Sequence, residues 1–151
     1  MVFSNRIFKY AVIIAAGGLL YGAAELTFRG RTHWSMLLAG GFCVLLLYLI
    51  AVKSREPFWK KCIMGGAVIT TVEFITGIIV NIVLGWNVWN YSTLWANLFG
   101  QICLQFSAAW VLLSAPVIWF CLMAESRING IRNATGGLIS NEEVDCDRDG
   151  G

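Results

Sequence analysis

The sequence predicts an all-α membrane protein, a four-helix transmembrane bundle built from two pseudo-repeated helical hairpins. Three observations lead there. The 151 residues are 58% hydrophobic and only 13% charged, whereas soluble domains run about half apolar and roughly a quarter charged. Four apolar stretches are each long enough for a hydrocarbon core of about 30 Å, which takes roughly 20 helical residues. A glycine pair followed by a glutamate recurs at a fixed interval in the first and third of these stretches.

The spans are expected near Phe8–Phe28, Trp34–Val52, Cys62–Leu84 and Leu94–Met123, forming one domain over residues 1–124. The first has Arg6 and Lys9 before it, as a signal peptide would. It is too long for one, however, and it carries Glu25 and Arg29 where cleavage needs small neutral residues, so it reads as a retained helix. Short connections between spans favour antiparallel neighbours. From residue 125 to 151 the apolar period is lost, and polar, acidic, Gly-rich chain predicts a disordered cytoplasmic tail. Its end, Asp145-Cys146-Asp147-Arg148-Asp149-Gly150-Gly151, opens like a calcium loop but lacks the glutamate at the twelfth position.

Basic residues set the expected orientation. Arg6, Lys9, Lys53, Arg55, Lys60, Lys61, Arg127 and Arg132 fall on one side, against Arg29 and Arg31 on the other. Both termini are therefore expected in the cytoplasm, with the protein in the cell membrane. Trp34, Trp86, Trp89, Tyr91 and Trp95 are placed at the outer interface, and Trp59 and Trp119 at the inner one.

The echo pairs Gly17-Gly18…Glu25 with Gly65-Gly66…Glu73. Trp34-Ser35 and Tyr91-Ser92 are each expected to open the following helix. This pattern fits two hairpins related by an axis along the membrane normal.

Residues three and four apart share a helix face. Gly18, Gly22, Glu25 and Arg29 form one polar stripe, and Gly66, Thr70, Glu73, Gly77 and Asn81 form a second. A third is expected from Asn97, Gln101 and Gln105 on the fourth helix. An ionised group at the bilayer centre costs about 2.5–3.5 kcal/mol on insertion scales. Glu25 and Glu73 must therefore turn into the bundle, and small residues on the same faces let the backbones close around them. The candidate substrate- or ion-binding residues are Glu25, Arg29, His33, Glu73, Asn81 and Gln101.

Each has a plainer reading. Glu73 serves either as a proton or cation site or as an interhelical anchor for Asn81, Gln101 or Gln105. Glu25 and Arg29 have the spacing of a local salt bridge, and His33 beside Trp34 fits an interfacial residue. The cysteines lack metal or redox spacing and read as packing residues. No metal site, phosphate-binding glycine loop or nucleophile motif appears, so neither an enzyme nor a cofactor is expected. The net charge of +2 makes no case for nucleic acid.

The chain also resembles a family. Tyr21-Gly-Ala-Ala-Glu25, Arg29-Gly-Arg-Thr-His-Trp-Ser-Met36, Glu73-Phe-Ile-Thr-Gly77 with Asn81, and Leu84-Gly-Trp-Asn-Val-Trp-Asn-Tyr-Ser92 carry the resemblance. It continues through Asn97-Leu-Phe-Gly-Gln-Ile-Cys103 and Phe106-Ser107, covering roughly residues 17–114. These segments are similar to the putative ABC-transporter type IV, or CmpB-like, small membrane proteins. The family often has Asp where Asn90 stands and Pro near Trp95 or Gln105; losing that Asp weakens the case for an outer-face cation site. The resemblance implies four or five spans and, for any ATP-driven role, a separate ATPase subunit.

Together these readings favour a permease-like protein in the lipid bilayer, working as a homo-oligomer or with another membrane subunit. A non-transporting scaffold, whose polar faces only lock helices together, is the alternative. An intramembrane enzyme using Glu25, His33 or Glu73 as acid or base ranks last.

Overall fold

The computed structural model describes residues 2–146, with side chains from residue 6 to 130. Four helices carry the fold: α1 (Val2–Arg29), α2 (Trp34–Lys53), α3 (Phe58–Gly77) and α4 (Leu104–Cys146). Each contains a stretch long and apolar enough to cross a membrane. α3 continues into a π-helical turn, Ile78–Val83. A small antiparallel hairpin, β1 (Asn97–Leu98) with β2 (Ile102–Cys103), precedes α4.

The helix ends follow local chemistry. His33 caps α2, its side chain accepting from the Ser35 amide. Pro57 precedes α3, where its missing N–H leaves no helical bond unmade. Between α2 and α3, the buried Lys61 donates to the Ala51 carbonyl at 2.8 Å and closes the turn. A lysine is tolerated there because its ammonium has that partner.

Glycines set the closest approaches. A Cβ on Gly18 of α1 would lie 2.5 Å from the Leu37 carbonyl of α2. A Cβ on Gly66 of α3 would lie 2.8 Å from the Val111 backbone of α4. The bundle is thus two tight helix pairs, α1 with α2 and α3 with α4, joined through contacts of α2 with α3 and α4. Leu47, Ala51, Cys62 and Ile118 form the core where these elements meet. A second core, Met36, Val80 and Trp89, lies beneath the loop before α4.

α1 and α4 have no such close seam. They are bridged at one end by Lys9, which donates to Glu125 at 2.7 Å, and Tyr48 of α2 donates to the same carboxylate oxygen at 3.0 Å. Above that bridge a groove of about 920 Å³ opens between the two helices, with α2 and α3 as its floor.

Three expectations about the second half of the chain change. The fourth helix was expected from Leu94, yet it begins at Leu104. The stripe Asn97, Gln101 and Gln105 therefore does not exist as a helix face. Asn97 spends its side chain on the loop instead: Nδ2 donates to the Leu94 carbonyl at 2.8 Å and Oδ1 accepts from the Gly100 amide at 3.1 Å. Such local bonds compete with helix formation. Ala96, Phe99 and Gly100 also sit at positive φ, which no helix accommodates. Consequently Tyr91-Ser92 lies inside a loop of some length, while Trp34-Ser35 opens α2 directly.

The helical backbone of α4 continues to Cys146, through most of the stretch that composition assigned to a disordered tail. A helix already nucleated adds residues at little cost. The calcium-loop likeness at Asp145–Gly151 lies outside the residues whose side chains are described.

The glycine seams give a direct test. Gly18→Leu should lower stability by about 1–3 kcal/mol through overpacking. Gly130→Leu should instead be neutral or stabilising by up to about 1 kcal/mol, since nothing lies within 4 Å of the added Cβ and glycine is a poor helix former. Thermal melting in one detergent compares the two.

Candidate functional site

Both intramembrane acids turn inward, Glu25 with 7% and Glu73 with 8% of its surface exposed. Hydrocarbon offers a carboxyl group no hydrogen bond, so each must find donors within the protein. They find different ones.

Glu25 is held at the end of α1. Its Oε1 accepts from the Arg29 guanidinium at 2.8 Å, one turn along the helix, and its Oε2 accepts from the Thr32 hydroxyl at 2.6 Å. The i,i+4 spacing read from the sequence thus becomes an ion pair with one buried and one half-exposed partner. Arg29 also approaches the Val88 carbonyl of the loop at 3.5 Å, at the limit of a hydrogen bond.

Glu73 sits deeper, on the face of α3 that borders the groove. Its Oε1 accepts from the Tyr91 hydroxyl at 3.0 Å and its Oε2 from the Trp110 indole at 2.7 Å. The expected partners Asn81, Gln101 and Gln105 are not the ones used. Tyr91 comes from the loop and Trp110 from α4, so the carboxyl group gathers three chain segments. Tyr91 is itself positioned by stacking on Phe106, with ring centroids 4.8 Å apart. Burial pushes the Tyr91 phenol well above its ordinary range, which keeps the hydroxyl protonated as a donor.

Neither donor to Glu73 carries charge. Among the described residues no lysine, arginine or histidine lies within ion-pair distance of it. Arg29 acts on it only from farther off. Tyr21 lies within electrostatic reach of both Glu25 and Glu73, and it lines the groove with Trp89 and Trp110.

Asn81 and Gln101 form a separate lock. Asn81 Nδ2 donates to Gln101 Oε1 at 2.8 Å, and Asn81 Oδ1 accepts from the Val88 amide at 2.7 Å. Gln101 Nε2 donates to the Phe99 carbonyl at 3.0 Å, while the Gln101 carbonyl accepts from the Trp89 indole at 3.0 Å. Gly77 makes room for this: a Cβ there would lie 2.6 Å from Gln101 Oε1. Asn81 stands in the π-helical turn, an irregularity frequent at functional sites. Its bonds all serve to pin the loop onto α3.

His33 is not brought to either carboxyl group. It caps α2 and packs against Trp34 and Trp86, with centroids 5.6 and 5.1 Å away. Trp89, expected in the outer aromatic belt, is only 3% exposed because its indole N–H is spent on Gln101.

The sequence reading missed Tyr21, Tyr91, Trp110 and Thr32 as partners. Tyr91 was read as an outer-interface residue at the start of the fourth helix, and Trp110 was available only as an aromatic residue of an apolar chain. Spacing gave no sign of them, because they reach Glu73 across 18 and 37 positions. Thr32 follows Arg29 closely enough that a polar cluster at the turn was the one available signal.

A family model described as putative ABC-transporter type IV matches residues 12–140, which takes in Glu25, Glu73, Asn81, Gln101 and their partners, and the groove except for Phe8 and Lys9 at one end. No curated protein and no solved structure matches the chain.

The loop lock predicts a specific loss. Asn81→Ala strips a partner from the Val88 amide and from buried Gln101, and should cost about 1–3 kcal/mol. Limited proteolysis should show residues 85–103 becoming sensitive before the helices do. Protection equal to wild type would contradict the lock.

Proposed function

The chain belongs to the putative ABC-transporter type IV family, and from that premise we propose a permease-like membrane protein whose substrate- or ion-binding group is Glu73. One observation carries this reading. A carboxyl group within a membrane span borders a groove of about 920 Å³ and has no cation at contact distance among the described residues. Ionisable groups at such depth are costly and mark substrate or ion pathways by default. Glu25 and Arg29 form a second polar layer, already neutralised by each other. Asn81 and Gln101 contribute by holding the loop that delivers Tyr91.

The bias of lysine and arginine supports cytoplasmic termini in the cell membrane. The Lys9–Glu125 end of the groove is then its cytoplasmic end. Four spans make a small enclosure, which favours a homo-oligomer. An ATP-driven role would draw on an ATPase outside these 151 residues, in which no phosphate-binding glycine loop occurs.

A specific observation favours the scaffold reading as second. Among the described residues every buried side-chain nitrogen and oxygen already has a hydrogen-bond partner. A pure lock between helices needs nothing more.

Flux separates the two readings. In proteoliposomes loaded with a pH-sensitive dye, wild type should couple proton movement to a solute drawn from a panel of cations, amines and amino acids. Glu73→Gln should abolish that coupling while the protein still reconstitutes. If flux is the same with and without Glu73, the scaffold reading stands in its place.

A further inference from the structure

The groove has two features that belong together. Its walls are almost wholly apolar, with Val12 and Leu20 of α1 facing Leu113 and Phe120 of α4. All four side chains are exposed, so the groove is open along its length. At depth it meets Glu73, to which Trp110 donates and near which Tyr21 lies, and Trp89, packed against Gly77 one turn further along α3, lines the groove with them.

Size narrows the occupant. A helix about 10–12 Å across and 30 Å long fills roughly 2,400–3,400 Å³. A groove of about 920 Å³ admits such a helix only partway. The same volume lies at the upper end of small-molecule sites, which run about 300–1,000 Å³. An apolar body of drug size, or a lipid chain, fits.

Charge then selects between those two. A lipid chain has no use for a carboxyl group. A cation has: the carboxylate offers it a counter-charge that no basic side chain among the described residues meets at contact distance, and aromatic faces attract cations most strongly where water is excluded. Both oxygens of Glu73 accept one bond each from neutral donors. A carboxylate oxygen accepts two, so each keeps an acceptor site for an incoming group. Tyr91 and Trp110 hold the carboxyl fixed, so a ligand need not order it.

We propose that the groove binds a lipophilic organic cation, its charge against Glu73 among Tyr21, Trp89 and Trp110 and its apolar body along α1 and α4. The inference rests on the permease-like reading for its location at Glu73, and it names the substrate class. Entry is lateral, from the bilayer, because the apolar walls are open between α1 and α4.

Tetraphenylphosphonium is the probe, and tetraphenylborate, of the same shape and opposite charge, is its control. Equilibrium dialysis with purified protein in detergent, each ion in a separate experiment because the two precipitate together, should show saturable binding of the phosphonium and none of the borate. Glu73→Gln should weaken it roughly tenfold or more, equivalent to about 1.4 kcal/mol. Ala16→Phe, which keeps the carboxyl group and fills the groove from an exposed position on α1, should weaken it too, with melting unchanged. Equal binding of both probes means a lipid-like groove and overturns the proposal. So does absence of saturable phosphonium binding, or an unchanged affinity in both variants. The two readings fail separately. Glu73-dependent flux of another solute without phosphonium binding removes only the substrate class, whereas binding without any flux removes only the permease.

Discussion

A carboxyl group inside a hydrocarbon slab cannot be left without hydrogen bonds, and this protein carries two. That requirement organises the rest of the structure. Glu25 is met locally, by an arginine one turn on and a threonine in the adjoining turn. Glu73 has no local partner of that kind, so the fold must bring donors from elsewhere. It brings one from the loop before α4 and one from α4 itself. The loop, the π-helical turn and the groove all sit around this gathering point.

Bringing Tyr91 to Glu73 requires irregular backbone packed against the bundle. Such backbone is stable only if its amides and carbonyls are satisfied within the protein. Asn81, Asn97 and Gln101 do this, by side-chain bonds to loop backbone or to one another. A helix through the same residues would have satisfied its own backbone at no such cost. It would also have carried Asn97 and Gln101 along a face and left Tyr91 elsewhere. The amides thus hold a loop, and the loop holds the carboxyl group.

Close packing and open groove are consequences of one uneven distribution of small residues. Gly18 with Gly41 lets α1 meet α2, and Gly66 lets α3 meet α4, at backbone distance. α1 and α4 present Phe8, Leu20, Leu113 and Phe120 to each other's side of the molecule. The glycines of α1 are turned to α2 and not to α4, and Lys9 bridges α1 to Glu125 of α4 at one end. In a bilayer this opening faces an apolar solvent, so leaving it uncovered carries little of the penalty that water would impose.

The sequence by itself determined the membrane class, the first three spans, the inward turn of Glu25 and Glu73, and the Glu25–Arg29 pair. Each depends on composition or on spacing within one helix, where geometry is fixed at 3.6 residues per turn. It also carried enough motif to assign the family. Only the tertiary structure decided where the fourth helix begins, which side chains serve Glu73, and that a groove separates α1 from α4. Those outcomes turn on contacts between residues far apart in the chain, and no periodicity records them. Asn97 and Gln101 are the clearest case. Their spacing suits a helix face equally well, and only their bonds to loop backbone show that they build a turn.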